Sequence, residues 1–282
     1  MIIPIALALS TAVSWSAAGV ILKSISTKYG SMAATLMIAA GNLVLLSIVL
    51  LFIGGFSLSA YSVLLSLLGG VLTAIGYLLF YTSLEREQAS NTFATIEIQV
   101  VLLALYGILA LHEGITIVGA GGIALILLGV FMVSFEKGRR FNKGLLPAMA
   151  ANVFWAFGWI ALVYPIAHSK TSLLPVWISF IAVITIVSIV TLSSKKRTSG
   201  LARMGAGGTA TGLGAGLLSG TGNALYSVLI SFKQLVFGTV LSNTSPALVA
   251  VFAHFAYHDR LTMLQIAGIV FVVAGGLILG AY

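Results

Sequence analysis

Ten apolar stretches, each about as long as a bilayer is thick once helical, follow one another with only short breaks. They run near 2–24, 32–53, 61–83, 90–111, 115–135, 145–167, 173–192, 206–231, 235–255 and 262–281. A helix rises about 1.5 Å per residue, so roughly 20 apolar residues cross the hydrocarbon core. In lipid every backbone N–H and C=O must be satisfied within the protein, which makes helices the fold for runs of this length. Only 7% of residues are charged and 60% are hydrophobic, whereas a soluble domain carries about 25% charge. The sequence therefore predicts an all-α membrane protein of ten transmembrane helices, multi-pass in the cell membrane with the lipid bilayer as its surroundings. No basic residue precedes the run from Ile2 to Leu22, and the run is long enough to span. A retained helix is expected there, not a cleaved leader.

The chain also repeats itself. Leu111-His112-Glu113-Gly114-Ile115-Thr116 is echoed by Tyr257-His258-Asp259-Arg260-Leu261-Thr262, an offset of 146 residues from His112 to His258. The same offset pairs Gly70 with Gly216, Gly76 with Gly222, Gln88 with Gln234, Gly122 with Gly268 and Gly129 with Gly275. Trp15 and Trp155 align at a slightly shorter offset of 140. The repeating unit is thus five helices, over residues 1–141 and 142–282. Five is odd, so the second unit crosses the membrane in the opposite sense. Two inverted five-helix repeats form one membrane unit, an arrangement that puts a site between the halves.

Charge sets the orientation. After the first, third, fifth, seventh and ninth spans lie Lys23, Lys28, Arg86, Lys137, Arg139, Arg140, Lys143, Lys195, Lys196, Arg197, Arg203 and Arg260. The opposite side has Lys170 and Lys233. By the positive-inside rule both termini lie outside. The net charge of +8 is spread over these loops, a topology signal and not a nucleic-acid stripe, so no nucleic-acid partner is expected. With no cysteine there is neither a disulfide nor a thiolate metal site; no metal and no cofactor are expected.

The stretch from Pro246-Ala247-Leu248 through Tyr257-His258-Asp259-Arg260-Leu261-Thr262, then Gln265-Ile266-Ala267-Gly268 and Ala274-Gly275-Gly276, resembles the ten-helix, EamA-type members of the drug/metabolite transporter superfamily. The first half repeats it as His112-Glu113-Gly114-Ile115-Thr116 and Gly122 to Gly129. Trp15 followed by Lys23 is similar to that family's first-helix Trp-Gly…Lys pattern, with Ser16 in place of Gly. Val100 stands where a proline is common, and termini outside depart from the arrangement of many relatives. The resemblance covers the whole chain and implies a transporter fold and an exporter of small metabolites. It does not identify the substrate.

Glu97, in Thr95-Ile96-Glu97-Ile98-Gln99, is an ionisable group well inside the fourth span. Such a group costs a few kcal/mol in the membrane and faces the bundle interior. Its mate at the 146 offset is Asn243. Glu97 either couples proton movement or pairs with a cationic substrate, or it is a protonated carboxyl bonded to a neighbouring helix. Asn243, Thr244, Ser245 and Pro246 form a second candidate. Pro246 frees a carbonyl one turn earlier, near Ser242, which the hydroxyls can satisfy or leave to a solute.

Aromatic side chains supply a third. Trp155 and Trp159 are i, i+4 on one helix face, with Trp15 as counterpart and Tyr77, Tyr81 and Tyr226 as hydroxyl-tipped rings. Such a wall suits an amphipathic solute; the alternative is packing or interfacial anchoring. Asn152 and Asn223 share segments with these rings, and Asn42 is a further intramembrane amide. Each is a substrate contact or an interhelical hydrogen bond. Lys23 is a candidate by its resemblance to the family's first-helix lysine, with snorkelling to the interface as the alternative. Gly208, Gly212, Gly216 and Gly220 form one smooth face, a packing or sliding seam. Glu113 and Asp259, each in a short turn before a helix, are expected to be caps.

No P-loop, G-x-S-x-G or H-E-x-x-H occurs, so neither ATP nor hydrolytic chemistry is signalled. Six acidic residues and four histidines, most in turns, do not make an intramembrane enzyme. The expected function is secondary active transport of a small unphosphorylated organic metabolite, such as an amino acid or amine, by alternating access, with protons as the candidate coupling ion. The alternatives are a sugar or nucleotide-sugar carrier and a passive facilitator or channel. No intramembrane arginine pair is present to clamp a phosphate. Either a monomer or a homodimer fits the sequence.

Overall fold

The computed structural model describes residues 2–86, 92, 97–134, 146–193, 195–257 and 261–280. Helices occupy all ten apolar segments. They are α1 (Ile2–Tyr29), α2 (Ser31–Ile53), α3 (Ala60–Arg86), α4 (Glu97–Leu109), α5 (Ile117–Ser134), α6 (Leu146–Ala167), α7 (Leu173–Leu192), α8 (Lys195–Ala202), α9 (Ala206–Ser231), α10 (Leu235–Ser242), α11 (Ser245–Tyr257) and α12 (Met263–Gly280). Among the described residues, seven helical segments are long and apolar enough to cross a membrane, α10 and α11 counting as one. Three shorter apolar helices lie within α4, α5 and α12. Leu51, Phe52, Leu109, Ile189 and Leu277 point outward and are mostly exposed, as a lipid-facing surface requires.

Two helical segments differ from the sequence expectation. The basic stretch after α7 is helical where a loop was expected. Its Arg197 donates to the Val190 carbonyl and the Ser193 hydroxyl, which closes the end of α7. Its Gly200 lies so close to the Tyr29 carbonyl that a Cβ there would collide with it. The ninth span is broken. α10 ends at Ser242, Asn243 and Thr244 leave the helix, and α11 restarts at Ser245. Thr244 Oγ1 donates to the Leu241 carbonyl and closes α10. Pro246 falls in the first turn of α11, where its missing N–H costs no helical bond. Irregular backbone at membrane depth is tolerated where it is buried in protein or lines a cavity.

Packing is reciprocal between the first five segments and the second five. α1 lies on α9 as α6 lies on α3, α2 on α9 as α7 on α3, and α1 on α10 and α11 as α6 on α4. α2 meets α7 and α5 meets α12, each with its own counterpart. Glycines allow these approaches. A Cβ on Gly129 would sit 2.5 Å from the Gly268 carbonyl oxygen, and one on Gly275 would sit 2.6 Å from that of Gly122. The seam of Gly212, Gly216 and Gly220 packs on α2, where a Cβ at Gly216 would collide with the Met37 carbonyl. Small residues let helix backbones come this close where lipid offers no hydrophobic force to join them.

The turns carry their own caps. Gly30, at φ 92°, joins α1 to α2 in a conformation L side chains rarely adopt. Thr116 Oγ1 accepts from the Gly119 N–H at the start of α5. Thr262 and Gln265 exchange bonds in a capping box at the start of α12. Glu113 acts farther away. Its Oε1 accepts from the Leu235 N–H and its Oε2 from the Val236 N–H, each at 2.8 Å. It thus caps α10 and not the helix that follows it in sequence. His258 and Asp259 lie outside the described residues.

Candidate functional site

A cavity of about 90 Å³ lies where the two sets of helices meet. Each half contributes matching positions. Thr73 answers Ser219, Tyr77 answers Asn223 and Gln99 answers Ser245 at the 146 offset, and Trp15 answers Trp155 at 140; all eight line the cavity. Asn243, Tyr81, Phe80, Trp159, Ser179 and Phe180 complete much of the wall. None of the described lining residues carries a formal charge. The wall combines aromatic rings and aliphatic groups such as Ile38, Leu162 and Val176 with hydroxyls and side-chain amides.

The two tryptophans sit alike. A Cβ on Gly222 would lie 2.5 Å from Trp15 Cδ1, and one on Gly76 would lie 2.5 Å from Trp155 Cδ1. Each indole thus rests in the gap left by a glycine on a helix of the other half. Tyr226 supports Trp15 with ring centroids 5.3 Å apart, and its mate Phe80 supports Trp155 at 4.8 Å.

Around Trp15 the polar groups form a chain. Trp15 Nε1 donates to Asn223 Oδ1 at 3.1 Å, Asn223 Nδ2 donates to Asn42 Oδ1 at 2.6 Å, and Asn42 Nδ2 donates to the Ile38 carbonyl. This fixes the Asn223 amide, and the Tyr77 hydroxyl lies beside Asn223 and Ser219. Around Trp155 there is no such chain. Its Nε1 is shielded from solvent and finds no acceptor among the described residues. Tyr77 and Phe80 pack their rings against this indole instead.

Of the sequence candidates, Trp15, Trp155, Trp159, Tyr77, Tyr81, Asn223, Asn243 and Ser245 come together on the cavity wall. The others take different places. Tyr226 is fully buried behind the wall, its hydroxyl 2.6 Å from Thr239 Oγ1 and its ring edge-on to Trp159 at 4.7 Å. Asn152 is buried in α6, where its Nδ2 donates to the Ala148 carbonyl at 2.7 Å. Lys23 Nζ donates to the Leu84 carbonyl and ties α1 to α3. Thr244 and Pro246 shape the α10–α11 break. Glu97 opens α4, but its side chain lies outside the described residues; its mate Asn243 lines the cavity.

Gln99, Thr73, Ser179 and Ser219 are wall residues that the sequence did not single out. For Gln99 a signal existed, since applying the 146 offset to Ser245 gives it. Thr73 and Ser219 are mates at that offset, but neither is marked on its own. Ser179 has no such mark.

A model of the EamA-like transporter family matches residues 2–135 and again residues 142–281. No curated protein matches the chain. A solved structure titled "Crystal structure of protein" superposes with a TM-score of 0.74 at 14% sequence identity, covering 98% of this chain and 95% of its own. At that identity the likeness is one of fold.

Proposed function

The chain belongs to the EamA-like transporter family, membrane transporters of small molecules, and we propose that it is a secondary carrier working by alternating access in the cell membrane. Its two five-helix halves, 1–141 and 142–282, are related by inversion and give ten spans. The observation that carries this reading is the cavity between reciprocally packed helices, walled by paired positions from both halves. Rocking one half against the other would open the same wall first to one side and then to the other.

The substrate is a small unphosphorylated organic metabolite of the amino-acid or amine type, and the direction is export. A cavity of about 90 Å³ is below the ~300–1,000 Å³ typical of drug-sized sites. Rings, hydroxyls and amides suit a solute with an apolar part and a neutral or zwitterionic polar part. Lys23 is held at the Leu84 carbonyl, outside the wall, so no described cation faces the cavity to clamp a phosphate. Glu97, at the depth of Asn243 in the mate helix, is the coupling residue for protons.

Counterflow in proteoliposomes tests the proposal. Vesicles preloaded with unlabelled substrate should take up external labelled substrate transiently above equilibrium. Uptake that only equilibrates, whatever is preloaded, would identify a passive facilitator or channel. Transport confined to sugars or nucleotide-sugars would overturn the substrate class while leaving the carrier intact.

A further inference from the structure

The two halves place a tryptophan at equivalent points, and among the described residues only one of the two indole N–H groups finds an acceptor. Trp15 donates to Asn223 Oδ1 at 3.1 Å. At the mate of Asn223 the chain has Tyr77, which turns a ring toward Trp155 at a centroid distance of 5.3 Å and 73° between planes. With a phenol at the position of that amide, Trp155 Nε1 is buried and has no acceptor among the described residues. A buried donor without a partner is costly unless something in the cavity completes it.

Tyr77, Phe80, Tyr81 and Phe180 surround this side of the cavity with ring surface, while Asn223, Asn243 and Ser245 face it from the other half. Resting on the carrier reading above, we propose that Trp155 Nε1–H is the substrate's hydrogen-bond donor. It binds a carboxylate or carbonyl oxygen of a small solute whose apolar part lies against those rings. Trp15, spent on Asn223, is a fixed part of the wall. The pair therefore gives a symmetric scaffold an asymmetric site, and the solute binds in one orientation.

The donor acts through one bond, so its loss should cost about tenfold in affinity. Purified protein is titrated with L-leucine, its methyl ester and isopentylamine, which share a side chain and differ in the acceptor oxygen. Wild-type protein should bind the first two and hold isopentylamine about tenfold more weakly. Trp155→Phe should lose about tenfold for leucine and the ester and almost nothing for the amine, which erases the preference. Trp15→Phe should alter all three probes alike. Equal losses for all three probes in Trp155→Phe would overturn the assignment, as would failure of leucine and its ester to bind wild-type protein. Should Trp155→Phe not fold, Tyr77→Asn restores an acceptor beside Trp155. It should lower leucine and ester binding relative to the amine, and an unchanged preference would overturn the proposal. Counterflow of any solute by wild-type protein reports on the carrier reading separately, so the two can fail independently.

Discussion

Removing the carboxylate of Glu113 should loosen the start of α10 while leaving α5, the next helix in sequence, capped as before. Both carboxylate oxygens accept backbone N–H groups, from Leu235 and Val236, at 2.8 Å. A side-chain cap at a helix N-terminus contributes about 1–2 kcal/mol, and a negative charge at the positive end of the helix dipole adds about 0.3–1 kcal/mol. Glu113→Ala leaves two partly buried N–H groups unmatched, so the combined cost is about 2 kcal/mol. If opening of α10 limits exchange, that is about thirtyfold faster hydrogen exchange at the Leu235 and Val236 amides. Glu113→Asp, one methylene shorter, should reach only one of the two and fall between. The assay is hydrogen exchange by mass spectrometry in detergent, reading peptides over 233–242 and, as an internal reference, over 117–125. Thr116 caps that reference helix independently. Faster exchange over 117–125 with no change over 233–242 would refute the placement, because Glu113 would then be capping its own helix.

Three further outcomes follow from the same architecture. Gly222→Ala puts a Cβ 2.5 Å from Trp15 Cδ1; overpacking of this kind costs about 1–3 kcal/mol, so the thermal midpoint should fall and solute affinity with it. Gly76→Ala should do the same through Trp155, and a pair of silent alanines would contradict the indole positions. Glu97→Gln should leave the protein folded but abolish the pH dependence of transport; a variant with wild-type rate and pH profile would remove Glu97 from the coupling. Reporter fusions at either terminus should be active outside the cell, as the positive-inside rule requires. Activity inside would reverse the orientation.

Much of this fold can be read from the amino-acid pattern because lipid imposes a strict rule. A segment such as 173–192 or 206–231 has to be helical once it is apolar and long, and the helices fall on those residues. The repeat offset is legible for the same reason. Gly76, Gly222, Gly129 and Gly275 sit where backbones or indoles touch, so no other residue fits and the pairs stay recognisable. The cavity wall is less legible. Thr73, Ser179 and Ser219 are small hydroxyl residues, which cost little in a membrane helix and occur often as local back-bonds, so none stands out alone. Lys23 and Asn152 stand out by polarity, yet each donates to a backbone carbonyl, of Leu84 and of Ala148. Polarity alone does not say which helix face a residue occupies. The sequence also marks Glu113 as a cap, but for the helix that follows it, because a partner 122 residues away leaves no local pattern.

The absence of cysteine makes the central claim directly measurable. Thr73→Cys and Ser219→Cys place one thiol each at mated positions on the cavity wall. Sealed vesicles of known orientation are treated with a membrane-impermeant thiol reagent from one face and then, separately, from the other. Alternating access predicts that each thiol is modified from both faces, and that a bound solute which speeds modification from one face slows it from the other. Modification from a single face under every condition, or rates that rise together on both faces, would contradict a site shared in turn by two gates.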